Sequence, residues 1–369
     1  MLYLKVVFIT KETVSSENIN LSGSVKMKKI VAVVSCLLLT ILIVGTKTNE
    51  VHAAKKTSKI QRLVDSKDIK SDDFFVDAKW LKKQMKDDDK TVVIEASYGE
   101  GKDYKKAHIP GALHVDTMEI ESEENNWNIL DAETCKEVFL KRGVTKTTPV
   151  VIYSNDINAA SRVAFVAYWL GVNQVKILDG GFAAWEKADY KVEKGTEKGT
   201  TAKDFGAAVP GRPESLISTS ADLLAAKEKN PDLVLASIRS WKEFTGKTSG
   251  YDYIENAGEP EGAVYAKSSK TSADVAQLMN TDGTVKDPTK IFAAWEKWGI
   301  TPDKEVAFYC GTGWRAATAF FITKQEGWKD VRLFDGGWYD WDKAHQKDPA
   351  KYPVQIGDPR DKDKVEILN

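Results

Sequence analysis

The chain has 369 residues, a formal net charge of −1 and 10% aromatic residues, which is an ordinary globular composition. This charge balance argues against a dedicated nucleic-acid binder, which needs a basic face. The three cysteines are too few for a disulfide framework, and the length suggests two or three domains.

The amino-terminal region has the features of an export signal. Residues 27–53 combine two lysines, an apolar run of 16 residues and a small-residue cleavage site that ends at Ala53. The apolar run is short for a spanning helix, so we expect cleavage rather than a retained anchor. Residues 1–26 are a leader of undetermined status, because either Met1 or Met27 could be the start. The pattern predicts a periplasmic, extracellular or cell-surface protein that leaves the membrane after cleavage.

Short apolar strands alternate with helix patterns along the rest of the chain. The first strands in order are "TVVIEAS", "PVVIYS" and "QVKILDGG", and the later ones are "DLVLASI", "VAFYC" and "VRLFDGG". The segment "TAFFITKQEG" reads as a helix that is closed by Gly327. This alternation predicts an α/β fold with mostly parallel sheets covered by helices on both faces.

An internal repeat divides the chain into two similar halves. The segment "KILDGGFAAW" at Lys176 is matched by "RLFDGGWYDW" at Arg332, and "PGALHV" at Pro110 parallels "EGAVYA" at Glu261. We therefore predict two tandem domains, over residues 60–195 and 216–360. The segment 196–215 is rich in glycine, threonine and charge and is the predicted linker.

The repeat separates the two cysteines of the predicted mature chain. Cys135 aligns with the apolar helix position Ile291, so we interpret it as a small buried hydrophobe. Cys310 aligns with Ser154, and the loops that follow differ between the copies, "GTGWR" against "NDINA". Cys310 also follows a predicted strand, and parallel sheets bind ligands at the carboxyl ends of their strands. The comparison indicates a functional role for Cys310.

The loop after Cys310, residues 311–315, has the composition of an anion-binding site, which we call the anion cup. Gly311 and Gly313 allow successive backbone N–H groups to point inward beside a helix N-terminus, and Arg315 adds a cation. Such surroundings favour the nucleophilic thiolate form of a cysteine. Four residues lie between Cys310 and Arg315, one fewer than in cysteine phosphatases, so a smaller group fits. The outer sulfur of a persulfide is such a group.

These motifs together resemble tandem-domain rhodanese sulfurtransferases of the exported type. The resemblance rests on the "CGTGWR" loop, on "HIPGA" at His108, on the repeated "DGG" turn and on the strand-end arginine in "SIRSWKEF". It covers residues 68–354. It implies two rhodanese-like domains, of which the first is inactive, with Ser154 in the cysteine position, and the second is catalytic.

The resemblance also implies the reaction and its residues. Cys310 takes a sulfane sulfur from a donor such as thiosulfate, forms a persulfide and passes the sulfur to cyanide or a thiol. Arg239 orients the anionic donor, and Lys247 and His108 are further candidates, although His108 is first interpreted as the cap of a turn. No metal or cofactor is implied, and a protein could also serve as the acceptor. The residues implied to bind the substrate and the persulfide are Gly311, Thr312, Gly313, Trp314, Arg315 and Arg239.

Three alternatives remain open. The "CGTG" start resembles 3-mercaptopyruvate sulfurtransferases, whose loop hydroxyl matches Thr312, but the chain lacks a second arginine between Arg239 and Arg315, where Lys247 could partly substitute. Ser237 also replaces the acidic residue that the family places two positions before the strand-end arginine. The second alternative is a non-catalytic sulfur carrier or interaction module. The third is a cysteine phosphatase-like enzyme. We rank a thiosulfate-type donor first.

Overall fold

The computed structural model describes residues 73–369. The predicted leader and export signal lie outside the described residues. Within the described part of the chain, no helix combines the length and the apolar character needed to cross a membrane.

The first domain contains one parallel sheet of five strands. The strands are β1 (Phe75–Val76), β2 (Val92–Ser97), β3 (Leu113–Asp116), β4 (Val150–Tyr153) and β5 (Val175–Leu178). The helices are α1 (Ala78–Asp87), α2 (Lys102–Lys106), α3 (Ala132–Leu140), α4 (Ile157–Leu170) and α5 (Gly181–Lys187). The strand order is β1-β5-β4-β2-β3, and every neighbouring pair is parallel. Strand β4 is buried on both faces, which explains its uninterrupted apolar sequence.

The second domain repeats this sheet and adds a small one. Its strands are β6 (Leu216–Ile217), β7 (Val234–Ser237), β8 (Glu259–Pro260), β9 (Val264–Tyr265), β10 (Val306–Tyr309), β11 (Val331–Phe334), β12 (Val354–Ile356) and β13 (Glu366–Leu368). Its helices are α6 (Ser220–Lys229), α7 (Trp241–Phe244), α8 (Pro288–Trp295), α9 (Trp314–Gln325) and α10 (Gly337–Lys347). The parallel order β6-β11-β10-β7-β9 matches the first domain strand for strand, which confirms the predicted fold. Strands β13, β12 and β8 form an antiparallel sheet that the sequence did not indicate.

The segment between the two domains has little regular structure. Between the end of α5 and a 3-10 turn at Pro213–Ser215 the chain forms neither helix nor strand. The predicted linker, residues 196–215, covers the later part of this stretch and the 3-10 turn.

The two domains pack through α4 and α9. The rings of Phe165 and Phe320 meet edge to face with centroids 5.0 Å apart, and the Thr318 hydroxyl lies 3.1 Å from the Ser161 hydroxyl. A single cluster of buried apolar residues includes members of both domains. Burying each such phenylalanine stabilises the fold by about 1.5–3 kcal/mol. The contact therefore holds the carboxyl ends of β4 and β10, the strands before α4 and α9, close to one another.

Cys135 occupies the structural role that the repeat predicted. Its side chain is completely buried on α3, and the aligned Ile291 is buried on α8. Burial raises the pKa of the Cys135 thiol to about 12, so it stays protonated at neutral pH. The interpretation as a buried hydrophobe is confirmed.

Candidate active site

Cys310 directly follows β10 and lies where the chain turns into α9. Its side chain is buried, with only 1% of its surface exposed. The helix begins at Trp314, so the N–H groups of residues 314–316 follow Cys310 by four to six residues and lack intrahelical acceptors. The backbone N–H groups of Trp338 and Tyr339 donate to the carbonyls of Cys310 and Gly311 at 2.8 and 3.1 Å. These two hydrogen bonds tie the loop at Cys310 to the start of α10.

The two loop glycines are needed for different reasons. Gly313 has a φ of +84° at the N-cap of α9, a conformation that side chains with a Cβ rarely adopt. Gly311 has no such φ, but a Cβ there would lie 2.3 Å from Cζ of Tyr251. Its N–H donates to the Tyr251 hydroxyl oxygen at 3.1 Å. Gly311 is therefore required for the close approach of the Tyr251 ring to the loop.

Cys310 opens onto a cavity of about 360 Å³ that both domains line. Four of the predicted loop residues are on its wall, namely Cys310, Thr312, Trp314 and Arg315, whereas Gly311 and Gly313 are not. The remaining wall residues are Tyr98, Glu121, Trp127, Asp156, Asn158, Tyr251, Tyr253, Ser272 and Ala273. The first domain therefore contributes to the cavity around a cysteine of the second.

Arg315 reaches the cavity, but it is already paired. Its Nη1 and Nη2 atoms donate to the two carboxylate oxygens of Glu243 at 3.2 and 2.9 Å, and Nη2 also donates to the Tyr251 hydroxyl oxygen. Nη1 further donates to the Thr271 carbonyl at 3.0 Å. Only Nε of this buried guanidinium has no hydrogen-bond partner. Arg315 thus braces the cavity wall as part of an ion pair.

Glu243 connects the two arginines of the site. Besides Arg315, it accepts a hydrogen bond from Nε of Arg239 at 3.4 Å, and the Ser240 N–H donates to it at 2.8 Å. Burial alone would raise the pKa of this carboxyl, but the two guanidinium groups and the Ser240 side chain outweigh it and lower the pKa to about 2. Glu243 is therefore ionised at every physiological pH.

Arg239 is completely buried and lies behind the cavity wall. Its Nη1 donates to the Glu259 carboxylate at 2.9 Å and to the Gly258 carbonyl, and its Nη2 donates to the Ser249 carbonyl at 2.7 Å. Glu259 supplies the carboxylate that Ser237 lacks, and the Ser237 hydroxyl donates to Glu259 at 3.3 Å. Direct contact of Arg239 with a donor stays a prediction. In this structure Arg239 anchors the segment that carries Tyr251.

These pairings change the electrostatic picture that the sequence suggested. Two arginines face two glutamates, so the four buried charges cancel. The net favourable field for a negative sulfur then comes from backbone N–H groups and the N-terminus of α9, worth about half a positive charge.

The two weaker candidates lie away from the cavity. His108 is buried in the first domain, where its Nδ1 lies 2.8 Å from the Tyr104 carbonyl oxygen and its ring stacks on Tyr104 at 4.2 Å. Lys247 is exposed after α7. Neither is on the cavity wall.

Sequence reasoning missed the residues that shape the rest of the cavity. Tyr251 and Tyr253 come from an irregular segment that carried no periodic signal. Glu243 had one signal, because it lies four residues after Arg239 in the capping-box pattern "SWKE", which places both on one face of a helical turn.

Glu121 brings the first domain into the site. It is buried, and its carboxylate accepts hydrogen bonds from Nε1 of Trp314 at 2.7 Å and from Nε of Arg162 at 2.9 Å. Arg162 also pairs with Asp335 in the second "DGG" turn. Burial raises the pKa of Glu121 to about 7, despite the neighbouring Arg162.

In the first domain, side chains occupy the loop that corresponds to the one after Cys310. The Ser154 hydroxyl accepts from the N–H of Asp156 at 3.0 Å, and Asp156 in turn caps α4 by accepting from the N–H of Asn158 at 2.9 Å. Side chains thus use backbone donors of the loop that in the second domain are left for an anion. The inactivity of the first domain stays a prediction, and this arrangement agrees with it.

One family model matches both halves of the chain. The family model described as "Rhodanese-like domain" matches residues 77–188 and 220–344. The "Thiosulfate sulfurtransferase YnjE" of Escherichia coli K12 is 42% identical over 269 residues, which are 72% of this chain. This chain spans only 60% of the length of that protein. The 3-mercaptopyruvate sulfurtransferase of Escherichia coli K12 is 26% identical over 73% of this chain and 94% of its own length.

Two solved structures resemble this chain over most of its length. The crystal structure of YnjE superposes with a TM-score of 0.71 and 39% identity, covering 77% of this chain and 68% of the other. An anaerobic ergothioneine biosynthesis enzyme from Chlorobium limicola, solved with its natural substrate trimethyl histidine, has a TM-score of 0.71 and 33% identity. That match covers 77% of this chain and 70% of the other.

Proposed function

The chain belongs to the tandem rhodanese-domain family of sulfurtransferases, and we propose that it moves a sulfane sulfur from thiosulfate to a thiophilic acceptor through Cys310. The observation that carries the proposal is the position of Cys310 between a strand end and a helix N-terminus, on the wall of a cavity that both domains line. This site favours a negative sulfur and holds no buried excess of positive charge that would trap a product anion.

The reaction proceeds by two displacements. The Cys310 thiolate attacks the outer sulfur of thiosulfate, the sulfur–sulfur bond of the donor breaks, and sulfite leaves with the bonding pair. The outer sulfur of the resulting persulfide then accepts attack by cyanide or a thiolate, and the Cys310 thiolate is released. First-turn N–H groups of α9 stabilise the persulfide charge in both steps.

Tyr251 and Trp314 complete the proposed machinery. The Tyr251 oxygen accepts hydrogen bonds from Gly311 and Arg315, which leaves its own proton available for a negative group in the cavity. Burial raises the pKa of Tyr251, so the proton stays on the phenol. Trp314 is tied to Glu121 of the first domain, so the cup is closed by an interdomain hydrogen bond.

Thiosulfate ranks ahead of 3-mercaptopyruvate because of the arginines. A carboxylate donor is best held by a guanidinium with two free parallel N–H groups. Arg239 and Arg315 both direct those groups to Glu243, Glu259 and carbonyl oxygens. Steady-state turnover on the two donors, with cyanide as the acceptor, distinguishes these reactions.

Intact-mass spectrometry tests the covalent step. After incubation with thiosulfate and removal of excess donor, the wild-type chain should gain the mass of one sulfur atom. The Cys310→Ser variant should gain nothing, and Cys135→Ser, which alters the other buried cysteine, should behave like wild type. A sulfur adduct on Cys310→Ser, or none on Cys135→Ser and wild type, would contradict the proposal.

A second candidate acceptor is a quaternary ammonium compound of the trimethyl histidine type. The cavity wall carries five aromatic side chains, Tyr98, Trp127, Tyr251, Tyr253 and Trp314, together with the acidic Glu121 and Asp156. Aromatic faces with nearby carboxylates are suited to quaternary ammonium ions. Incubating the persulfide form with trimethyl histidine should then yield ergothioneine, and Trp127→Ala should weaken that reaction more than the reaction with cyanide.

We also propose that the protein is exported and cleaved after Ala53, on the strength of the signal-like sequence at 27–53. Amino-terminal sequencing of protein purified from outside the cytoplasm should start at Ala54. A chain that still carries residues 27–53 would contradict cleavage.

A further inference from the structure

One buried histidine nitrogen in the first domain has no partner. Nε2 of His108 has no hydrogen-bond partner, although its side chain is completely buried. An unpaired polar atom in such a position is costly, so it calls for an explanation such as a bound ion or water.

The hydrogen bond of the other ring nitrogen determines what Nε2 can do. Nδ1 of His108 lies 2.8 Å from the carbonyl oxygen of Tyr104, which can only accept. Nδ1 therefore carries the proton, and in the neutral ring Nε2 holds a lone pair. A histidine whose Nδ1–H donates to a backbone carbonyl is the usual arrangement of a metal ligand.

Two carboxylates lie near the His108 ring. His108, Glu193 and Glu197 each offer one ligand atom, and these three atoms all lie within 4.8 Å of one another. A tetrahedral Zn²⁺ with bonds near 2.1 Å holds its ligands roughly 3.4 Å apart, so the ligand atoms need to approach one another by at most about 1.4 Å. Both glutamates are exposed, and their side chains can make that movement.

The backbone around the three residues is already tied together. His108 and Glu193 exchange two backbone hydrogen bonds of 2.9 Å, and the N–H of Gly111 donates to the Glu193 carboxylate at 2.8 Å. The N–H of Glu197 donates to the hydroxyl oxygen of Tyr104, the residue whose carbonyl orients the His108 ring. The cluster thus has outer hydrogen bonds of the kind that orient metal ligands.

From these contacts we propose that His108, Glu193 and Glu197 form a zinc-binding site, with water as the fourth ligand. The ion would fasten the segment after α5 to the loop between α2 and β3. The sequence showed no ligand spacing here, because the histidine and the glutamates are 85 and 89 residues apart. Only the fold brings them together.

Zinc titration by calorimetry tests the site. The protein is the Cys310→Ser chain, so that zinc cannot bind the reactive thiol, and it is first treated with a chelator that is then removed. We expect one Zn²⁺ per chain and a melting temperature higher by ~5 °C at saturation. Mg²⁺, which prefers oxygen ligands, should bind much more weakly at the same concentration.

The decisive variants change exposed residues, so they are expected to fold. In the same background, Glu197→Gln should weaken zinc affinity about tenfold or more, and Glu193→Gln with Glu197→Gln should abolish binding. Glu228→Gln makes an equal charge change at an exposed position of α6, so it should leave the zinc affinity unchanged. Equal zinc affinity in the double variant and in Glu228→Gln, or no binding at all, would overturn the proposal. The three residues would then be a histidine–carboxylate cluster that binds no zinc.

Discussion

Replacing Glu243 by glutamine should destabilise the protein and identify the carboxylate as the electrostatic centre of the site. The carboxyl has a pKa of about 2 in the folded chain, against an ordinary value of 4.5. That difference of about 2.5 pKa units corresponds to about 3 kcal/mol of folding free energy at neutral pH, at 1.36 kcal/mol per unit. Breaking a buried ion pair by removing one partner costs a similar 3–5 kcal/mol.

The sign of the pH dependence follows from the lowered pKa. Between about pH 4.5 and pH 2 the unfolded chain binds a proton at Glu243 that the folded chain does not bind. The stabilisation is therefore fully present above pH 4.5 and is lost as the pH falls through 2. The free-energy difference between wild type and Glu243→Gln should shrink over that range.

Asp222→Asn provides a matched control for this variant. Asp222 occupies the same capping-box position in α6 that Glu243 occupies in α7, but it is exposed and faces no arginine. Its loss should cost only about 1 kcal/mol. Urea unfolding at pH 7, followed by tryptophan fluorescence, measures both variants. If the two substitutions destabilise the chain equally, within about 0.5 kcal/mol, the reasoning about the arginine pairs is refuted.

Three further predictions follow from the site. Between pH 4.5 and about 7 Glu121 keeps a proton in the folded chain that it loses in the unfolded chain, so its contribution to stability falls as the pH rises. Glu121→Gln should therefore gain stability relative to wild type from pH 5 to pH 8. The gain should reach up to about 3 kcal/mol in thermal or urea unfolding. Gly311→Ala should lower kcat for thiosulfate at least ~10-fold, because the new Cβ would lie 2.3 Å from Tyr251, and unchanged kinetics would contradict that contact. Arg239→Lys should raise the KM for thiosulfate, since lysine cannot hold Ser249, Gly258 and both glutamates together, and an unaltered KM would remove Arg239 from the site.

The burial of Cys135 in the core could be predicted without coordinates, and its contrast with Cys310 was visible there too. An internal repeat supplies its own comparison, since Cys135 aligns with a core isoleucine and Cys310 with a serine in a different loop. Strand and helix patterns were equally readable, because a doubly covered parallel sheet needs uninterrupted apolar strands. The antiparallel sheet of β8, β12 and β13 was not readable, as its strands have only two or three residues.

The sequence by itself determined the α/β repeat and the glycine-rich loop after Cys310, because both depend on residues that are neighbours along the chain. Only the tertiary structure decided the partners of that loop. Glu243 and Glu259 neutralise the two arginines, Tyr251 lies against Gly311, and Glu121 reaches Trp314 from the other domain. Which charges meet in a buried site depends on how separate segments pack, and burial then sets whether each charge is free or cancelled.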